Sequence, residues 1–111
     1  MAKKQKTDLL QGTLDLILLQ MLSGRPANGW ELTQRITAVS REVLSVNAGS
    51  LYPALYRLEG RGWIRADWRP SDNNRRAKFY MLTATGRKHL AAEKETWQRF
   101  AGALAAILRT T

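Results

Sequence analysis

The side chains best equipped for chemistry in this sequence are the arginines and lysines of its middle third. Seven of the 18 basic residues lie between positions 57 and 78, where only three acids accompany them. The 111 residues include no cysteine and one histidine, His89, which excludes disulfides, thiolate metal sites and cysteine nucleophiles. No acid and base pair with catalytic spacing emerges. We therefore expect a protein that is not an enzyme and needs no metal or cofactor.

The overall charge predicts an anionic partner. A formal net charge of +9 suits nucleic acid, anionic lipid or an acidic protein. The most apolar stretch, residues 14–22, is interrupted by Asp15 and Gln20 and is far shorter than the roughly 20 residues of a membrane span. The basic start lacks the apolar segment of a signal peptide. We expect a single cytoplasmic domain that does not enter a membrane.

Hydrophobic periodicity predicts three helices in the first half of the chain. The first covers residues 8–23 and is too rich in leucine for one apolar stripe, so it needs cover on a second side, which is a first sign of a dimer. A turn at residues 23–27 precedes the second helix, which opens at Asn28 with Glu31 completing a capping box. The predicted core stripe of this second helix is Leu32, Ile36 and Val39.

The third helix follows Asn47, a good N-cap residue, and buries Leu51, Leu55 and Leu58. Its opposite face and flanks are small, aromatic and basic. These positions are Gly49, Ser50, Tyr52, Pro53, Tyr56, Arg57 and Arg61.

Two strands, at residues 63–69 and 78–82, are predicted to form a β-hairpin whose turn at 70–77 carries adjacent arginines. Thr83 then caps a helix from Ala84 to about Arg109, which would be ~39 Å long and would project from so small a domain. Its apolar residues recur at heptad-like spacing and predict a dimer seam of Leu90, Trp97, Phe100, Leu104 and Ile107.

This order of elements predicts a mainly α fold with a small β-hairpin. The order of elements is typical of a winged helix-turn-helix, which we place at residues 1–83 with its wing at 63–83. A C-terminal dimerisation helix at 84–111 belongs to the same compact unit. In such folds the third helix enters the major groove of double-stranded DNA and the wing touches the backbone or the minor groove. The predicted DNA contacts are Asn47, Ser50, Tyr52, Pro53, Tyr56, Arg57, Arg61, Asn74, Arg75, Arg76 and Lys78. Alternatively, Asn47 and Ser50 are only caps, Tyr52 and Tyr56 are surface aromatics packed on the wing, and the arginines of the turn are solvated charges.

The sequence carries two blocks, GSLYPALYRLE at residues 49–59 and NNRRAKFYMLT at 73–83, that resemble the signature blocks of PadR-family transcriptional regulators. GTLD at 12–15 and GWEL at 29–32 fit earlier family positions. The resemblance implies a homodimeric winged-helix regulator, usually a repressor, that dimerises through its C-terminal helix. Trp30 stands where the family usually has tyrosine, so a phenol contact to phosphate is not expected there.

Trp97 has two interpretations. Its heptad spacing favours a bulky knob in the dimer seam. In the multidrug-responsive branch of the PadR family, a tryptophan at the matching place walls a pore for flat aromatic ligands, and the resemblance places Asp15 and Gln20 beside it. Lys94 and Ala101 depart from the aromatic and acidic neighbours of the drug-binding members. A small aromatic effector is therefore an alternative to a purely structural role.

The leading hypothesis for function is a homodimeric repressor that binds an inverted-repeat operator, and relief of repression by a small aromatic effector stays open. The rival is a winged-helix module for RNA or protein assembly without an operator. A two-fold dimer requires half-sites about one helical turn apart, whereas an adaptor has no such requirement.

Overall fold

The computed structural model describes the backbone of residues 2–111 and the side chains of residues 12–111. Within this range the chain forms four helices and three strands. They are α1 (Ala2–Leu22), β1 (Ala27–Asn28), α2 (Gly29–Val39), α3 (Ala48–Gly60), β2 (Ile64–Pro70), β3 (Arg76–Leu82) and α4 (Ala84–Leu108). The predicted class, mainly α with a small hairpin in the order of a winged helix-turn-helix, is confirmed.

The predicted N-caps begin α2 and α3. The Asn28 side chain accepts a hydrogen bond from the Glu31 backbone N–H at 2.8 Å, and the Glu31 carboxylate accepts one from the Asn28 N–H at 3.0 Å. The Asn47 side chain accepts from the Ser50 N–H at 3.0 Å. Each bond satisfies a donor that the first turn of a helix leaves free, which is why short polar side chains set these boundaries.

The core is built from the leucines of α1 and α3, closed by α2 and the base of the hairpin. The largest side chains without exposure are Leu18, Leu19, Leu32, Leu51, Leu55, Leu58 and Ile64. Val39, predicted to join this core, is instead 69% exposed. It is the last residue of α2, and Arg41 and Glu42 follow with φ of 54° and 66°, so the chain turns away before anything can pack over it.

The sheet has the order β1-β3-β2, and β1 was not predicted. Its two residues pair with β3 as Ala27 with Tyr80 and Asn28 with Phe79, because the expected turn runs directly into an antiparallel bridge. In the hairpin, β3 begins at Arg76 rather than at Lys78, so only residues 71–75 form the tip.

The first turns of α4 rest on the base of the hairpin. Thr83 caps the helix as predicted, and its hydroxyl also donates to the Gly62 carbonyl at 2.7 Å. A Cβ at Gly86 would lie 1.9 Å from the Trp63 carbonyl oxygen, so only glycine permits this approach. The His89 ring stacks on the Trp63 ring with centroids 3.6 Å apart. From residue 91 onward every side chain is exposed except the half-buried Ala101, so the rest of α4 projects.

Candidate nucleic-acid interface

The outward side of α3 presents hydroxyl, phenol and small side chains on a rigid helix. Ser50 and Pro53 are exposed, and Tyr56 is 81% exposed. The buried leucines on the opposite side hold the helix against the core, so these side chains are fixed in direction. Asn47 also caps α3, because its side-chain oxygen accepts a hydrogen bond from the Ser50 N–H.

The tip of the hairpin is a closed turn with two exposed arginines. The Ser71 N–H and hydroxyl both donate to the Arg75 carbonyl, at 2.6 and 2.8 Å. Asn74 adopts a φ of 67°, a left-handed conformation that asparagine tolerates better than most residues. The Arg75 and Arg76 side chains are exposed, so they are accessible to an anionic partner.

A cleft of about 780 Å³ lies between the start of α2, α3 and the hairpin. Four aromatic side chains line it, Trp30, Tyr52, Trp68 and Tyr80, together with Arg75, Arg76 and Lys78. The cleft therefore combines cations with indole and phenol donors. Tyr52 is the side chain through which α3 lines this cleft.

Strand register explains how the hairpin contributes to this cleft. Trp68 lies directly across from Lys78, and the same side of the ribbon covers the core nearer its base through Ile64 and Tyr80. Sequence reasoning did not single out Trp68. The alternation within β2 was a usable signal, but the face could not be assigned until the register was known.

Gly29 at the start of α2 lies in close contact with Tyr52 of α3. A Cβ at Gly29 would lie 2.3 Å from the Tyr52 hydroxyl oxygen. Tyr52 is therefore half-buried against the start of α2 as well as lining the cleft. The sequence left its packing and contact roles open, and the geometry allows both.

Two of the predicted DNA-contacting cations are paired within the chain. Arg57, predicted to face outward, turns to α1 and forms an ion pair with Asp15. Lys78 lies 3.3 Å from the Glu59 carboxylate, and both side chains are more than one-third exposed.

Burial raises the pKa of the Tyr80 phenol, and the adjacent Lys78 charge opposes that shift. Arg61 lies exposed over the Trp63 ring, 5.2 Å from its centroid.

The projecting part of α4 carries most of the predicted seam as an uncovered apolar row. The ring centroids of Trp97 and Phe100 are 5.5 Å apart, and the row continues through Leu104 and Ile107. Leu90 is different, because it is 6% exposed and packs in the core of its own chain. The spacing that placed it in the seam is the same spacing that a helix uses to face its own domain.

A smaller cleft of about 310 Å³ lies beside Trp97, between α1, α2 and α4. Apolar side chains dominate its lining, which also includes Gln20 and Lys94. The Gln20 side-chain oxygen is buried and has no hydrogen-bond partner among the described residues. Asp15, which the resemblance placed beside a ligand pore, does not line this cleft and instead binds Arg57 of α3.

The described residues include neither a metal-binding cluster nor a membrane-spanning helix. No group of three or more His, Asp or Glu side chains in them is arranged to hold a metal ion. No helix in the same part of the chain is long and apolar enough to cross a membrane.

Known proteins with a similar sequence or structure include transcriptional regulators. A protein of Lysinibacillus sphaericus, described as uncharacterized, is 25% identical over 92 residues, which span 83% of this chain and 84% of that protein. A transcriptional regulator from Clostridium thermocellum matches with a TM-score of 0.82 and 24% identity, over 92% of this chain and 96% of that one. A PadR-like transcriptional regulator from Bacillus cereus matches with a TM-score of 0.81 and 24% identity, over 94% and 99% of the two chains.

The family match covers most of the winged-helix part of the molecule. Residues 18–92, from within α1 to the first turns of α4, match the transcriptional regulator PadR-like family. The resemblance seen in the two sequence blocks is thereby confirmed, and the chain belongs to the PadR-like family of transcriptional regulators.

Proposed function

We propose that this chain is a transcriptional repressor that binds double-stranded DNA as a homodimer in the cytoplasm, with no catalytic role. The observation that carries the proposal is the cleft that Arg75 and Arg76 of the hairpin line together with Tyr52 of α3. Ser50, Pro53 and Tyr56 are exposed on the same helix. In the proposed complex α3 would read base edges in the major groove while Arg75 and Arg76 neutralise phosphates.

The proposed contact residues are the predicted ones that the fold leaves accessible. They are Asn47, Ser50, Tyr52, Pro53, Tyr56, Arg61, Asn74, Arg75 and Arg76. Lys78 is added because exposed ion pairs contribute only ~0–1 kcal/mol, so its bond to Glu59 can be exchanged for a phosphate. Arg57 is left out because Asp15 already holds its charge.

A second copy of the chain is the proposed cover for the apolar row on α4. Residues 1–83 would serve as the DNA-binding part and residues 84–111 as the dimerisation helix. The two belong to one compact unit because Leu90 anchors α4 in the core. Trp97, Phe100, Leu104 and Ile107 would leave water at a two-fold interface, which is favourable in proportion to the apolar area removed.

A small aromatic effector would bind beside Trp97. The apolar cleft there and the unpaired oxygen of Gln20 support this part of the proposal. Titration with a planar aromatic dye, followed by fluorescence anisotropy, tests it. Trp97→Ala should abolish saturable dye binding, whereas Trp68→Ala on the hairpin should leave it intact. Equal dye affinity in both variants would contradict an effector site at Trp97.

Selection of random duplexes by the purified protein tests the proposal as a whole. We expect an inverted repeat whose half-sites are separated by about one helical turn, roughly 10 base pairs. Recovery of no preferred duplex, together with tight binding to RNA or to a protein, would instead support the rival role as an assembly module.

A further inference from the structure

The ion pair between Asp15 and Arg57 is the least exposed ion pair among side chains 12–111. The Arg57 side chain is 25% exposed and that of Asp15 is 16% exposed. The pairs Lys78–Glu59 and Arg69–Asp67 are longer, at 3.3 and 3.6 Å, and all four of their side chains are more than one-third exposed. The Asp15–Arg57 pair also joins residues 42 positions apart in sequence, so it ties α1 to α3.

The Arg57 charge is poorly placed to serve a phosphate. To reach one, the guanidinium would have to leave Asp15, and a half-buried carboxylate would lose its partner. Removing one member of such a pair costs more than the pair itself contributes, because the remaining charge stays desolvated. An exposed arginine such as Arg75 has no comparable cost.

The Asp15–Arg57 pair lies on the same flank of α3 as Ser50, one of the proposed DNA contacts. Arg57 and Ser50 are seven residues apart, so they lie on the same flank of the helix, about 10 Å apart along its axis. On that flank a cleft of about 430 Å³, lined by Leu14, Ile17 and Ser50, separates the N-terminal half of α3 from α1. Leu51 and Leu55 hold α3 in the core on its buried side, and on this flank the ion pair supplies a polar contact to α1.

We infer that Arg57 is a positioning residue for DNA recognition, which acts through its ion pair with Asp15 and not through a contact to phosphate. The pair sets the angle of α3 on α1 and thereby the placement of Ser50 and Tyr56 against base edges. This inference rests on the proposed DNA-binding function.

The test compares single variants with matched controls on the selected duplex and on random duplexes over a range of salt concentrations. Arg57→Gln and Asp15→Asn should each lower the ratio of selected to random affinity about tenfold, and the double variant should lose no more than either, as expected for residues that act as a unit. Random-duplex binding by Arg57→Gln should keep the salt slope of the wild type. Arg75→Gln, the control for a lost cation, should reduce that slope by ~0.9 per subunit. Asp67→Asn, which removes the acid of the exposed Asp67–Arg69 pair, is the control for a lost acid and should leave the affinity ratio unchanged.

If a single variant does not fold, the charge-swapped variant, Asp15→Arg with Arg57→Asp, tests the inference instead. It retains one acid and one base at the joint, and we expect it to recover both the thermal unfolding midpoint and most of the affinity ratio. Recovered folding without recovered preference overturns the inference. So does an Arg57→Gln variant that weakens all duplexes alike with a reduced salt slope while Asp15→Asn behaves as wild type. If the wild type itself prefers no duplex, the proposed function fails first.

Discussion

Replacement of Phe100 by alanine should separate dimerisation from folding. Phe100 is 54% exposed on the projecting part of α4. A phenylalanine presents roughly 200 Å², so a partner that covers it fully removes roughly 110 Å² from water in each subunit. At ~25 cal/mol per Å² this burial contributes about 2.7 kcal/mol. Because the substitution leaves the core untouched, the monomer should keep its fold.

A two-fold interface contains the residue twice, so the full contribution is about 5 kcal/mol per dimer. Alanine retains part of the buried area, which lowers the expected loss to about 3.5 kcal/mol, equivalent to a several-hundredfold weaker dimer. Sedimentation equilibrium over a range of protein concentrations measures this dissociation constant directly. Circular dichroism at the same concentrations checks that the helices persist.

Tyr56→Ala is the matched control, since it removes a more exposed aromatic side chain from α3, on the surface proposed to bind DNA. It should leave the dimer dissociation constant unchanged while altering preference among duplexes. A Phe100→Ala variant that associates as tightly as the wild type would refute the dimer geometry. A wild-type chain that stays monomeric at high concentration would refute the need for a second copy.

Three further perturbations probe the hairpin and the core. Arg75→Ala combined with Arg76→Ala should weaken all duplexes alike and reduce the salt slope by up to ~1.8 per subunit, as measured by titration at several salt concentrations. Gly86→Ala should cost more than ~3 kcal/mol of unfolding free energy because its Cβ meets a backbone carbonyl, whereas Gly102→Ala, with open space around it, should stabilise α4 by ~0.5–1 kcal/mol; urea unfolding compares them. Burial raises the pKa of Tyr80, so its contribution to stability is full below the ordinary phenol pKa of about 10 and is lost as pH rises through the folded-state value. Tyr80→Phe should therefore flatten the alkaline part of a stability-against-pH curve, and an unchanged curve would contradict that role.

Features decided within one turn of chain were predictable from the sequence. The N-caps at Asn28, Asn47 and Thr83 use a side chain and a backbone donor three residues apart, so no distant contact is needed. The leucine spacing of α3 likewise identified its buried side. From these local signals the order of elements and the two candidate DNA-contacting segments followed.

Features decided by which elements meet could not be obtained in this way. The pattern of α2 extends to Val39, but the fold has nothing to place over that residue. Leu90 and Trp97 share the same heptad spacing, yet one faces the core of its own chain and the other does not. Arg57 lies well away from the leucines on a helical wheel, but an acid on α1 draws it inward. Periodicity assigns a direction around a helix and carries no information about what lies there.

The unusual leucine content of α1 is explained by its position among the other helices. It packs against α2, α3 and α4 and supplies Leu18 and Leu19 to the core. Asp15 on this helix binds Arg57, while Gln20, about 140° further around the helix, lines the cleft beside Trp97. The helix is rigid, so a molecule or a second chain that displaced it at the Trp97 cleft would also displace Asp15. The angle of α3 would then change without any contact to α3 itself, which is the physical requirement for an effector that alters DNA binding from a distance.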